Sequence, residues 1–130
     1  MKFPEECLYT RQHEWVRVLG GVALVGITDY AQKELGDVVF AELPKVGESF
    51  DTNEPFANVE SVKAVSEIFC PAAGEVLEVN QELAEAPEKI NEDPYGDGWF
   101  VKLKIANPEE LEELMDAEEY EEFVAEESAE

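Results

Sequence analysis

Short runs of alternating apolar and polar residues fill the chain as far as Ile105, and turn-forming residues punctuate them. Glu14 to Leu19 and Val22 to Ile27 flank Gly20-Gly21, the pattern of two strands joined by a two-residue hairpin. Thr28 can cap a short helix reaching Leu35, with Asp29 at its positive end and Gly36 just past its finish. Asp37 to Leu43, rich in Val and Phe, stops at Pro44. Phe56 to Glu60 and Val65 to Phe69 are two further β-type runs. Ser61-Val62-Lys63-Ala64 lies between them and predicts a tight hairpin with Lys63 at its apex. Glu75 to Val79 and Trp99 to Ile105 complete the strands, the last entered from the turn cluster Pro94 to Gly98.

Beyond Ala106 the period changes. Asn107 suits an N-cap, Pro108 the first helical position, and Glu110 falls three after the cap. Leu111, Leu114 and Met115, then Tyr120, Phe123 and Val124, recur at helical spacing, which predicts two short helices broken near Asp116-Ala117. The expectation is a single domain: a β body over about 9–106, a helical appendage over about 107–125 and a frayed acidic tail over 126–130. The pattern P-x-x-G-E occurs at Pro44 and again at Pro71, with Lys63 between the copies. Two similar strand-turn units predict a small pseudo-symmetric β-sandwich or flattened barrel that leaves the middle hairpin exposed at one end.

Charge narrows the partners. The 130 residues carry a formal charge of −23, with 32 acidic and 9 basic side chains. Such a chain is unsuited to nucleic acid, whose phosphates need Lys and Arg, and to anionic membrane surfaces. It suits solubility, encounters with basic patches and, by self-repulsion, a monomer. From Asn107 onward there are twelve acidic residues and no Lys or Arg, the pattern of a solvated outer face. Cys7 and Cys70 lack a CxxC spacing and point to a reduced setting, Cys70 as a packed thiol. The amino terminus has neither signal-peptide nor transit-peptide character, so the expected location is cytoplasmic, or the mitochondrial matrix for a processed chain.

Little in the chain supports catalysis. His13 is the sole histidine, and metal-ligand spacing, a P-loop and GxGxxG are all lacking. A non-enzymatic role is expected. Lys63 remains as a covalent handle, since a hairpin tip orders its backbone while letting the four-carbon stem reach into solvent. Val62 and Ala64 flank it, and Glu60, Ser61 and Glu67 supply polar handles for a modifying enzyme.

Gly47, Lys63, Pro71 and Gly74 resemble the frame of the biotinyl/lipoyl attachment fold. Biotin carriers usually place Met on both sides of the lysine and acyltransferase lipoyl domains Asp before it, unlike Val62 and Ala64. Glu60-Ser61-Val62-Lys63-Ala64, His13-Glu14-Trp15, Gly26-Ile27-Thr28-Asp29, Leu35-Gly36-Asp37, Pro94-Tyr95, Gly98-Trp99 and Glu110-Leu111-Glu112 together resemble the H proteins of the glycine cleavage system. The resemblance runs from about Tyr9 to Val124. It implies lipoate in amide linkage to Lys63, carrying the aminomethyl group of glycine as a swinging arm. The implied partners are a pyridoxal-phosphate glycine decarboxylase, a tetrahydrofolate-dependent aminomethyltransferase, a flavin- and NAD-dependent dihydrolipoyl dehydrogenase, and a lipoate ligase or octanoyl transferase. It also implies an arm-docking cleft of His13, Glu14, Ile27 and Glu34, with Glu14 as anionic partner of the cationic group and Glu67 as a weaker candidate. Glu34 stands where family members often carry histidine. Two other readings are a relay donating lipoyl or octanoyl groups to other lipoyl domains, and an unmodified acidic interaction module.

Overall fold

Two antiparallel β-sheets carry the chain, and their registers follow the alternation of apolar residues. The computed structural model describes residues 1–128. The larger sheet orders β1 (Leu8–Tyr9), β2 (Glu14–Leu19), β3 (Val22–Ile27), β9 (Val101–Ile105), β8 (Gly74–Val79) and β5 (Ser49–Phe50). The smaller one orders β4 (Val38–Glu42), β6 (Pro55–Ser61) and β7 (Val65–Phe69). Val16, Val25 and Ile27 from the first sheet and Ala57, Val59 and Ile68 from the second belong to one buried cluster. This is a sandwich; the two sheets stay separate, so the flattened barrel is not formed.

The P-x-x-G-E copies form two sides of one ladder. Gly47 N–H donates to the Val76 carbonyl at 2.9 Å and Val76 N–H to the Glu48 carbonyl at 2.8 Å. Ser49 then faces Glu75, and Phe50 faces Gly74. Strands β1 and β5, two residues each, and the one-turn helices α2 (Glu82–Glu85) and α3 (Lys89–Glu92) add to the predicted elements.

Helix α1 (Asp29–Leu35) forms as its caps dictate: Thr28 Oγ1 accepts from Ala31 N–H at 3.1 Å, and Gly36 N–H donates to the Gln32 carbonyl at 3.0 Å. The C-terminal stripe divides differently from expectation. Pro108–Glu113 is a 3₁₀ helix rather than an α-helix. Met115 is captured by β1, exchanging 2.8 and 2.9 Å backbone bonds with Tyr9, which stops the first helix. Helix α4 (Ala117–Ser128) continues past the expected fraying point, so residues 126–128 are helical; Ser128 Oγ donates to the Val124 carbonyl at 2.8 Å. Residues 129–130 of the expected tail lie outside the described residues.

A second buried cluster lies under α4 and contains Tyr9, Trp15, Leu24, Tyr95 and Tyr120. Trp15 fills it because its cross-strand partner is Gly26, where a Cβ would sit 2.7 Å from the indole.

Candidate functional site

The Lys63 apex is ordered by its own backbone. Ser61 N–H donates to the Ala64 carbonyl at 2.8 Å, and Ser61 Oγ accepts from the N–H groups of Lys63 (3.2 Å) and Ala64 (3.1 Å). Ser61 was expected to face a modifying enzyme. Instead it is 7% exposed and turned inward, opposite Val38, where its hydroxyl shapes the turn. Val62, Lys63 and Ala64 are exposed, and Val62 N–H donates to the Asp37 carbonyl at 3.0 Å, tying the tip to the segment after α1.

Lys63 forms no ion pair among the described residues. Its stem does not stand straight out, as a bare hairpin suggests. It folds over Gly36, where a Cβ would lie 2.8 Å from Lys63 Cε and 3.6 Å from Nζ. Gly36 has φ +79°, so glycine serves both the helix end and the stem's resting place. The methylenes gain bare backbone to cover, and the ammonium nears the carbonyl end of α1.

Asn91, on α3, supports that segment from behind. Its Nδ2 donates to the Gly36 carbonyl at 2.9 Å and to Gln32 Oε1 at 3.0 Å, while its Oδ1 accepts from Val38 N–H at 2.8 Å. Nothing in the sequence spacing distinguishes this asparagine from a loop residue.

A recess of about 190 Å³ opens between α1, β7 and the end of β3. His13, Ile27, Glu34 and Glu67 all line it, so three of the four expected cleft residues converge there with Glu67. Glu14 does not. The alternation of β2 turns it to the side of Val16, between the sheets, where it is 1% exposed. Thr10 Oγ1 donates to Glu14 Oε1 at 2.6 Å, and Phe69 N–H donates to Oε2 at 3.4 Å. Burial pushes its carboxyl up to about 7, against the pull of those two bonds.

His13 joins the recess to α4. Its Nδ1 lies 2.8 Å from Tyr120 Oη and its Nε2 lies 2.9 Å from a Glu127 carboxylate oxygen. Tyr120 Oη is in turn 2.7 Å from Thr28 Oγ1, the cap of α1. Desolvation lowers the His13 pKa, with Glu127 working in the opposite direction.

The match to known proteins is chain-wide. Residues 7–127 match the family described as Glycine cleavage H-protein. The chain belongs to that family. It is 56% identical to the glycine cleavage system H protein of Halothermothrix orenii, over 97% of this chain and 98% of the relative. It is 59% identical to a probable glycine cleavage system H protein of Pyrococcus abyssi, over 95% and 92%. The crystal structure of a glycine cleavage system H protein from Mycobacterium marinum superposes with a TM-score of 0.84 at 37% identity, covering 96% of this chain and 98% of that one.

Glu34 presents a carboxylate to the recess, beside Glu67. The two cysteines lie in different clusters, both free, with thiols that burial pushes up to about 11. They are packed groups, not nucleophiles. No helix among the described residues is long and apolar enough to cross a membrane.

Proposed function

We propose that this chain is the lipoyl-bearing shuttle of glycine cleavage. Lipoate in amide linkage to Lys63 Nζ would carry the aminomethyl group of glycine between the decarboxylase, the aminomethyltransferase and the dihydrolipoyl dehydrogenase. The observation that carries this reading is an exposed lysine, without an ion pair among the described residues, on a hydrogen-bonded hairpin apex in a member of the H-protein family. Lipoate, when attached, supplies a disulfide able to accept a one-carbon unit and two electrons.

The residues present fit such a group. Small Ala64 and the bare backbone of Gly36 leave the amine unobstructed, and the turn bonds hold its base in place. Tethering raises the effective concentration of the carried group at each partner to roughly the millimolar range, without any new contact. A recess beside α1 offers shelter between visits. Glu34 and Glu67 on its lining supply negative charge for a cationic cargo, and Ile27 excludes water. Glu14 acts from behind that lining, as a buried acid close to Phe69. The shuttle itself performs no catalysis, and bacterial and archaeal relatives favour a cytoplasmic setting.

Lys63→Arg is the direct test. Arginine keeps the charge but cannot be acylated, so glycine–bicarbonate exchange in the reconstituted system should fall to background. The intact mass of the parent should gain one lipoyl increment that the variant lacks. Exchange supported equally by both proteins would remove Lys63 from the carrier role.

A further inference from the structure

The solvent side of the three-stranded sheet carries an apolar surface that the fold itself leaves uncovered. β4 is bulged between Val38 and Phe40, so two consecutive side chains, Val39 and Phe40, emerge 53% and 51% exposed. The register sets Phe40 opposite Glu60 and Glu60 opposite Val65, one row across three strands at the Lys63 end. Val62 adjoins Lys63 and is bonded to Asp37, two residues before Val39. Val62 and Val65 are 67% and 69% exposed. Four large apolar side chains thus surround the hairpin of a protein whose formal charge is −23. Solubility gives no reason for them.

We propose that Val39, Phe40, Val62 and Val65, around Glu60, form the docking surface for the enzyme that acylates Lys63. The inference rests on Lys63 being the attachment site and adds the face its modifying partner must meet. Reach selects that partner. A bare lysine carries its nitrogen only about 6 Å from its Cα, five bonds of roughly 1.5 Å in zigzag. Reacting atoms must come within about 3–3.5 Å, so the acylating enzyme has to press against the strands beside the hairpin. An acylated arm reaches farther, so enzymes acting at its end need not touch these strands.

In the step itself, Nζ first loses a proton to a base on the enzyme and attacks the carbonyl carbon of an acyl adenylate. The C–N amide bond forms, the C–O bond to phosphate breaks, AMP leaves and the nitrogen's second proton passes to solvent. The matching surface is an apolar rim with one cation or N–H donor facing Glu60. Without that donor, covering the carboxylate would be costly.

The test uses unmodified full-length protein, a lipoate–protein ligase, ATP and octanoate, with octanoyl-Lys63 read by intact mass. V39T/F40S and V65T should each lower kcat/KM by about tenfold or more, chiefly through KM. Leu77→Thr, on the larger sheet, should match the parent. Acetylation of Lys63 by a small N-hydroxysuccinimide ester should be equal in every variant, because the amine itself is untouched. Val62→Thr, in the exposed turn, covers the case in which the β4 double variant fails to fold. Values within twofold of the parent for V65T and V62T would overturn the docking surface. A parent never octanoylated at Lys63 would instead overturn the attachment reading.

Discussion

The Lys63 apex and the aromatic cluster beneath α4 order their residues by opposite means. At the apex, three consecutive residues are exposed, and order comes from a handful of hydrogen bonds through Ser61 and Asp37. Beneath α4, Tyr9 and Tyr120 stack with ring centroids 4.5 Å apart, both fully buried, and burial raises both phenol pKa values. The lesson is that display needs rigidity without enclosure, whereas anchoring a helix rich in carboxylates needs enclosure. Helix α4 has seven positions of Glu or Ser and few apolar ones, so Tyr120, Phe123 and Val124 must hold it.

Breaking the enclosed side should cost most. Tyr120→Ala would remove a stacked ring and the hydroxyl shared by His13 and Thr28, and about 3–5 kcal/mol of unfolding free energy in urea is the expected loss. Lys63 acylation in any folded fraction should be normal. A loss under 1 kcal/mol on the same scale would mean that α4 is held elsewhere.

Glu14 gives the next effect, and its sign follows from its raised carboxyl. A folded-state value of about 7 against 4.5 means that the native protein holds a proton the unfolded chain has released between those pH values. Stability therefore falls as pH rises from 4.5 to 7, by up to about 3 kcal/mol. Glu14→Gln should flatten that part of the profile, read as the difference between parent and variant urea midpoints. Parallel profiles would show that this carboxyl titrates normally.

Ser61→Ala sharpens the comparison from the exposed side. Two amides lose their acceptor, worth about 1 kcal/mol, and exchange at Lys63 and Ala64 N–H should quicken about fivefold. Global stability should fall by no more than about 1 kcal/mol. Unchanged exchange would mean the apex is ordered by the Asp37 bond alone.

Much of this contrast was legible in the residues. β2, β3 and β7 begin and end as their alternation and flanking turns dictate, and α1 obeys Thr28 and Gly36. Elements that exist only through their partners were not legible: β1 and β5 are two residues long and gain definition from β2 and β8. Asn91 acts across 53 to 59 residues of sequence, and Tyr120 reaches His13 across 107. Glu14 shows another limit. Strand alternation says which way a side chain points, but whether that side opens to a recess or closes between sheets depends on the packing of β7. Ser61 shows a related limit, since the tight turn needs its hydroxyl inside.

The folded-back stem of Lys63 has a consequence of its own. As an ammonium it settles where the carbonyls of α1 run out, over a residue with no side chain to displace it. Amide formation cancels that positive charge while making the chain much longer. On the proposed attachment, the berth beside Gly36 suits the naked amine, and acylation would cast off that mooring in the same event that creates the tether.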